Sequence, residues 1–570
     1  MANINGRATG SRAGNINGRP SKGSPSRTYT PASLEIAASV ENATTSPKAI
    51  WASQDRYLAV EPGGTISETA QFIATRVKMN IAGGRWAKLA LVYAGAYQKV
   101  TSSPTGIMNT ARVTVSSTFE LANGSLQTTY LSSNASSTAP FQVTFNNSVD
   151  AILVPGDVMV SDWIYPADLG LTVFEWTDRT LLPWVRTAYS KTGATDLMGM
   201  VSAGGGNQSR TEYNYPSNSH VATCTTYATA KTLILQTGIV NYNGGSNTFS
   251  STDGVSAPGP IGIIGEGLDG QVSILFFGTS ILDGDGDTPE RQGGVNPTNN
   301  SMYNYDMVGF PSRWSQKLTN STPSLNLACG ASSMFEWFSN DAANNWAATD
   351  NALTLSKLMI AKFAQWFDIC IANDVHNDSV GTYQDTLYQF TRIMRSQNQS
   401  LKIYGAYMPN GYVDITGATV AYDTGLDVRW TAQAAMVTAG YWDGMLNMRG
   451  DATKLFLDSG TQVTSTTTAL GTTTTLIDTG QAWRINQWAN SWVEIAGVKK
   501  LISANTATTL TFAAYGGAIA SATAYLILGN QTGDGTHPNA FMQRTVMPAK
   551  FDTELSAAGI SVPRFTRTQS

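Results

Sequence analysis

The chain has 570 residues, a formal net charge of −4 and only 13% charged residues, so it is not a strongly basic nucleic-acid binder as a whole. Three cysteines and three histidines exclude a disulfide framework and argue against a zinc centre, so no metal and no cofactor are expected. No apolar stretch reaches membrane-spanning length, and a chain of this size is expected to hold about three or four domains.

Residues 1–50 are rich in Gly, Ser, Asn and Arg, and Asn3-Ile-Asn-Gly-Arg7 repeats as Asn15-Ile-Asn-Gly-Arg19. Such a segment buries too little apolar surface to fold alone and reads as a flexible arm. Its basic residues Arg7, Arg12, Arg19, Lys22 and Arg27 are not interleaved with aromatics. The arm is therefore expected to order on a larger assembly rather than on nucleic acid. It lacks an apolar signal core, which leads to the expectation of a protein made without a secretion signal.

Residues 51–268 carry alternating runs between Gly, Pro, Asn and Ser clusters. Arg112-Val-Thr-Val-Ser116, Ala151-Ile-Leu-Val154 and Thr232-Leu-Ile-Leu235 are read as strands of a β-sandwich-like region. Trp51, Trp163, Trp176 and Trp184 fit either sugar contact or packing.

Over 269–459 the pattern changes. Gln271–Phe277 is a buried strand ending in Gly278-Thr279-Ser280, which sets a serine just past a strand's carboxyl end, where open α/β sheets hold their ligands. Further strands are predicted at Ser324–Ala328, Asp368–Ala372, Lys402–Tyr407 and Tyr441–Leu446. Tyr383, Leu387, Phe390 and Met394 recur at helical spacing and read as core. Strands alternating with helices imply a parallel sheet.

Residues 460–530 turn to short β-branched runs such as Thr506–Phe512, with Trp483, Trp488 and Trp492 close together. They read as a small inserted all-β module, its tryptophans packing in a core or offering a sugar-stacking surface. Residues 531–570 open on Asp534-Gly-Thr-His537-Pro538 and continue as a predicted helix over 540–558. Asp534 and His537 form the orienting half of a Ser-His-Asp triad, and Ser280 is the matching nucleophile.

These segments, in this order, resemble the SGNH (GDSL-like) esterase superfamily. Gly278-Thr279-Ser280 stands for Gly-Asp-Ser, and Asp534 to His537 for the closing Asp-x-x-His. Asn326-Leu-Ala-Cys-Gly330 stands for the second block, and Phe367–Asp378 holds the third. The chain departs at Thr279, where the family has aspartate, and lacks the glycine of Gly-x-Asn-Asp. The third block has two registers, Asn377 or Asn373; the spacing from Asp368 favours Asn377, with His376 as its neighbour. The resemblance implies a three-layer α/β/α domain with catalytic Ser280, Asp534 and His537. It implies an oxyanion hole from Ser280, Gly330 and Asn377, with Asn373 as the alternative.

The inserted module resembles a small β-domain recurrent in bacteriophage tail proteins, and Val154–Asp162 resembles β-domains preceding the catalytic domain in some SGNH esterases. Together they imply a phage tail fibre or tailspike that deacetylates a bacterial surface polysaccharide, capsule or O-antigen. It would be a homotrimer joined to other virion proteins by its arm and would act at the outer host surface, without membrane insertion. Two alternatives stay open: a non-catalytic receptor-binding or structural virion protein with an SGNH fold, and a secreted lipase or thioesterase.

Overall fold

Two antiparallel sheets face each other in the N-terminal half of the computed structural model. The structure describes residues 48–56, 59–60, 71–79, 81–99, 105–108, 112–123, 140–175, 181–193, 200–201, 219–236, 259–283, 309–317, 320–328, 334, 362–373, 383–408, 412–413, 419–420, 424–448, 461–483, 485–489, 491–528, 538 and 542–565. The first sheet runs Ile50–Trp51, Gly262–Gly267, Arg85–Ala94, Val158–Val160, with Phe174–Glu175 also on Arg85–Ala94. The second runs Ala151–Leu153, Val113–Asn123, Leu181–Lys191, Phe72–Lys78, Ser219–Cys224, with Phe141–Val143 paired to Val113–Asn123. Alternate residues point inward, as strand geometry requires. Leu89, Leu91 and Tyr93 from one sheet meet Val115, Phe119, Leu121, Val185 and Tyr189 from the other. This is a sandwich core of the expected kind.

One predicted strand is a helix. Thr232–Leu235 closes the α-helix Tyr227–Leu235, which is N-capped by the Thr226 side chain accepting from the Thr229 N–H at 3.1 Å. The apolar letters that mimic a strand are the helix's buried stripe: Ala230, Leu233 and Ile234 pack on Ala74, Ala188 and Ala222 of the second sheet. A capping threonine and small residues on the facing sheet override the local β pattern. Beside the helix, on the same face, buried Glu120 is held by Arg76 Nε at 2.7 Å and Arg186 Nη2 at 2.8 Å. Arg76 also lies 4.0 Å over the Trp184 ring, so Trp184 is a packing residue here.

The second half is built on a parallel sheet of six strands in the order Gln54–Arg56, Ser324–Asn326, Ile274–Gly278, Ile369–Asn373, Lys402–Tyr407, Gly444–Asn447. Helices cover both faces. Leu275, Phe277, Cys370, Ala372 and Ile403 face the helices Tyr383–Gln397 and Thr424–Thr438 through Leu387, Phe390, Met394 and Trp430. Ile274, Phe276, Ile371, Ala406 and Leu446 face Phe310–Ser315 and Met547–Ala557 through Trp314, Phe551 and Leu555. The result is three layers, α/β/α. Tyr383, Leu387, Phe390 and Met394 are all buried on one helix, as their spacing predicts. The edge strand Gln54–Arg56 comes from the N-terminal, otherwise antiparallel half.

The sandwich and the parallel sheet share apolar packing. Ala90, Val92, Ile261 and Ile264, on the outer face of the first sheet, belong to the same buried cluster as Leu275, Phe277 and Phe363. Pro47–Ser570 is one compact unit.

Residues 461–528 form a separate six-stranded antiparallel sheet. Trp483 and Trp488 are buried in its core with Val493, Ile495, Leu510, Tyr525 and Ile527, so these two are core residues; Trp492 is half-buried. The predicted final helix divides into a wide π turn, Met542–Val546, and the α-helix Met547–Ala557. Pro548 lies in the first turn of that helix and has no N–H to continue the preceding ladder, which accounts for the break. Among the described residues no helix is long and apolar enough to cross a membrane.

Candidate active site

The order of the parallel strands locates a site before any residue is assigned a role. Counting from Ile274–Gly278 as first, the strands lie second, first, third, fourth, fifth across the sheet. The chain leaves the first strand to one side and returns for the third on the other. Connections therefore diverge at the carboxyl ends of Ile274–Gly278 and Ile369–Asn373, and open α/β sheets bind ligands in the crevice at such a point. Gly278 and Asn373 are direct register partners there.

Gly278 is required for this approach. A Cβ on it would lie 2.6 Å from the Asn373 carbonyl oxygen and 2.5 Å from Leu282 Cδ1. Without that side chain, the chain turns against the neighbouring strand, and the Thr279 N–H donates to the Asn373 carbonyl at 3.3 Å. Ser280 then begins a helical turn, Ser280–Asp283, with Ile281 and Leu282 buried below it.

Three buried side-chain amides lie around that turn. Asn326, at the end of the neighbouring strand, donates from Nδ2 to the Leu282 carbonyl at 2.8 Å and accepts the Ala328 N–H at 3.0 Å. Gln543, from the π turn, donates to the Ile281 carbonyl at 3.4 Å and accepts the Phe310 N–H at 2.7 Å. Asn373 is the third, and neither of its amide atoms has a partner among the described residues; the same holds for the Thr279 hydroxyl. Both side chains are fully buried. Cys370, on the adjacent strand, is no competing nucleophile, because burial alone pushes its thiol well above the usual range.

Of the sequence-predicted residues, the structure places the Ser280 backbone at the crevice and Asn373 beside it. Asp534, His537, Gly330, Asn377 and His376 lie outside the described residues. Pro538, which follows His537, is buried. Among the described residues no group of His, Cys, Asp and Glu is arranged to hold a metal ion. Sequence reasoning placed Asn326 at the head of the second block without a role of its own, and gave Gln543 none. The available signals were an asparagine closing an apolar strand and a glutamine set between apolar neighbours near the final helix.

No family model matches the chain, and no curated protein matches it. Solved structures with some similarity include a salicylyl-acyltransferase from a tetracycline biosynthetic pathway, at 10% identity and TM-score 0.26, covering 86% of this chain and 83% of that one. A family two carbohydrate esterase from Cellvibrio japonicus matches at 10% identity and TM-score 0.20, over 68% of this chain and 90% of its own. An extracellular lipase from Streptomyces rimosus matches at 12% identity and TM-score 0.18, over 31% and 80%. Superpositions this loose describe neither the site nor its chemistry, which rest on the residues and sheet order above.

Proposed function

We propose that this chain is a serine esterase of the SGNH kind that removes acetyl groups from a bacterial surface polysaccharide. The observation that carries the reading is the place of Ser280, at the start of the turn that follows Gly278 where the strand order reverses. In this mechanism His537 takes the Ser280 proton while Asp534 holds the imidazole tautomer, and the serine oxygen bonds to the acetyl carbonyl carbon. The carbonyl oxygen gains the negative charge, met by the Ser280 and Gly330 N–H groups and the Asn377 amide. The sugar hydroxyl leaves with the proton from His537, and water, activated by the same histidine, releases acetate and restores Ser280. Asn373 is the weaker choice for the oxyanion because its side chain is fully buried.

The setting we propose is a homotrimeric bacteriophage tail fibre or tailspike acting outside the host, with residues 1–50 joining other virion proteins. What supports it is the resemblance of residues 460–530 to a phage tail β-domain, together with the arm's composition. A non-catalytic, sugar-holding virion protein is the second reading, favoured by Thr279 in place of the family aspartate.

Acetate release from p-nitrophenyl acetate and from acetylated capsule or O-antigen is the test. Ser280→Ala and His537→Ala are each expected to lower kcat by at least about 10⁴-fold. Wild-type release no faster than that of both variants on every substrate would leave the sugar-holding reading in place.

A further inference from the structure

We infer that Asn326 and Gln543 are positioning residues for Ser280, an inference that rests on Ser280 being the nucleophile. Ser280–Asp283 is a single helical turn, and the carbonyls of Ile281 and Leu282 in it accept from side chains of other segments. Both are in the buried interior, where an unpaired carbonyl is costly. The Asn326 amide supplies one donor and the Gln543 amide the other, to consecutive residues of the same turn. Each amide is held the right way round by its far side: Asn326 Oδ1 accepts the Ala328 N–H, and Gln543 Oε1 accepts the Phe310 N–H. The nitrogen of each therefore faces the turn.

The two amides also tie together the chain segments that the esterase reading needs in register. Asn326 and Ala328 lie on the run leading to Gly330, and Gln543 follows His537 closely in the chain. Through them, the turn bearing the nucleophile is fixed against the segment leading to an oxyanion donor and against the segment following the base. Small displacements of a reacting group are expensive, about 10²-fold in rate for roughly 1 Å, so such clamps act on kcat more than on substrate binding.

The test uses Asn326→Asp and Gln543→Glu in the full chain. Each keeps the side-chain volume and the acceptor for the N–H and puts a carboxyl oxygen where the amide nitrogen was. That oxygen donates to the carbonyl only while protonated, so rates are compared with wild type across pH, and the loss is read where the ratio levels off at high pH. Rates on p-nitrophenyl acetate are expressed per serine that reacts to completion with a fluorophosphonate, so that unfolded chains drop out. For Asn326→Asp, kcat per reactive serine is expected to fall about 10- to 100-fold with KM within about twofold, and the fluorophosphonate labelling rate to fall with it. Gln543→Glu loses a longer bond and is expected to fall about five- to tenfold. It carries the test alone if Asn326→Asp does not fold. Wild type active, Ser280→Ala inactive and both variants within about twofold of wild-type kcat, or changed in KM alone, would overturn the positioning role. Wild type no better than Ser280→Ala would instead overturn the esterase reading itself.

Discussion

Asp478, just past the strand Thr475–Ile477 of the antiparallel sheet in residues 461–528, is 1% exposed. It accepts hydrogen bonds from the Tyr525 hydroxyl at 2.7 Å, Ser465 Oγ at 2.8 Å, the Gly480 N–H at 3.0 Å and Gln481 Nε2 at 3.1 Å. Asn373, closing the strand Ile369–Asn373, is 0% exposed, and its amide meets no partner among the described residues. Two buried polar groups at strand ends thus have opposite surroundings. Around Asp478 the chain supplies four donors to one carboxylate, which is what a group serving the fold looks like. Around Asn373 and Thr279 the described residues supply no partner to the side-chain polar atoms, and such local inconsistency is expected where a site overrides the fold.

Removing each group should separate the two. Asp478→Ala strips the shared acceptor from a buried tyrosine, a serine, a glutamine and a backbone N–H, and is expected to cost about 3 kcal/mol of stability, read as a lower chemical-denaturation midpoint with esterase kcat unchanged. A loss well under 1 kcal/mol would place Asp478 with Asn373 and dissolve the contrast.

Acid titration sharpens the same point. Burial pushes the Asp478 carboxyl up, but the hydrogen bonds from Tyr525, Ser465, Gln481 and Gly480 outweigh it and hold it below the usual carboxylate value. A carboxyl with a depressed folded value contributes stability that is fully present above its unfolded value, about 3.9, and lost as pH falls through the folded value. Unfolding followed by tryptophan fluorescence, to which Trp483 and Trp488 contribute among fourteen tryptophans, should show that loss below about pH 4, and Asp478→Asn should flatten it. Equal acid slopes in the two proteins would contradict the assignment.

The smallest effect is expected at the unmatched group. Asn373→Val is nearer to Asn in volume than Leu would be, suits a strand end, and removes two buried polar atoms that meet no partner among the described residues, so stability should rise by up to about 1 kcal/mol, measured as an upward shift in Tm. A drop of similar size would mean that the amide does have a partner the fold depends on.

The sequence was legible where one period dominated. Ile274–Gly278 and Ile369–Asn373 are unbroken apolar runs between polar boundaries, and Tyr383–Gln397 carries a clean helical stripe. Thr232–Leu235 misled because four letters cannot distinguish a strand from the last turn of a helix; the cap at Thr226 and the alanine-lined partner face decided it. Gln54–Arg56 was invisible as a strand of the parallel sheet because three polar residues carry no pattern, and only the pairing with Ser324–Asn326 defines it. At the site, Gly278 and Ser280 could be read from local sequence, since a sharp turn after a buried strand has its own signature. The clamping contacts of Asn326, which the second block had marked, and of Gln543 could not, because they run across long stretches of chain.

That same edge pairing sets an order of events during synthesis. Gln54–Arg56 leaves the ribosome early, but its hydrogen-bonding partner is translated only after the whole sandwich and the first strand of the parallel sheet. Until then, one side of a future sheet edge has nothing to pair with, and closure of that edge is a late, non-local step of the slow kind. Interrupting translation between these two segments should therefore release nascent chains whose early strand is still open to proteolysis, while chains extended past residue 326 protect it.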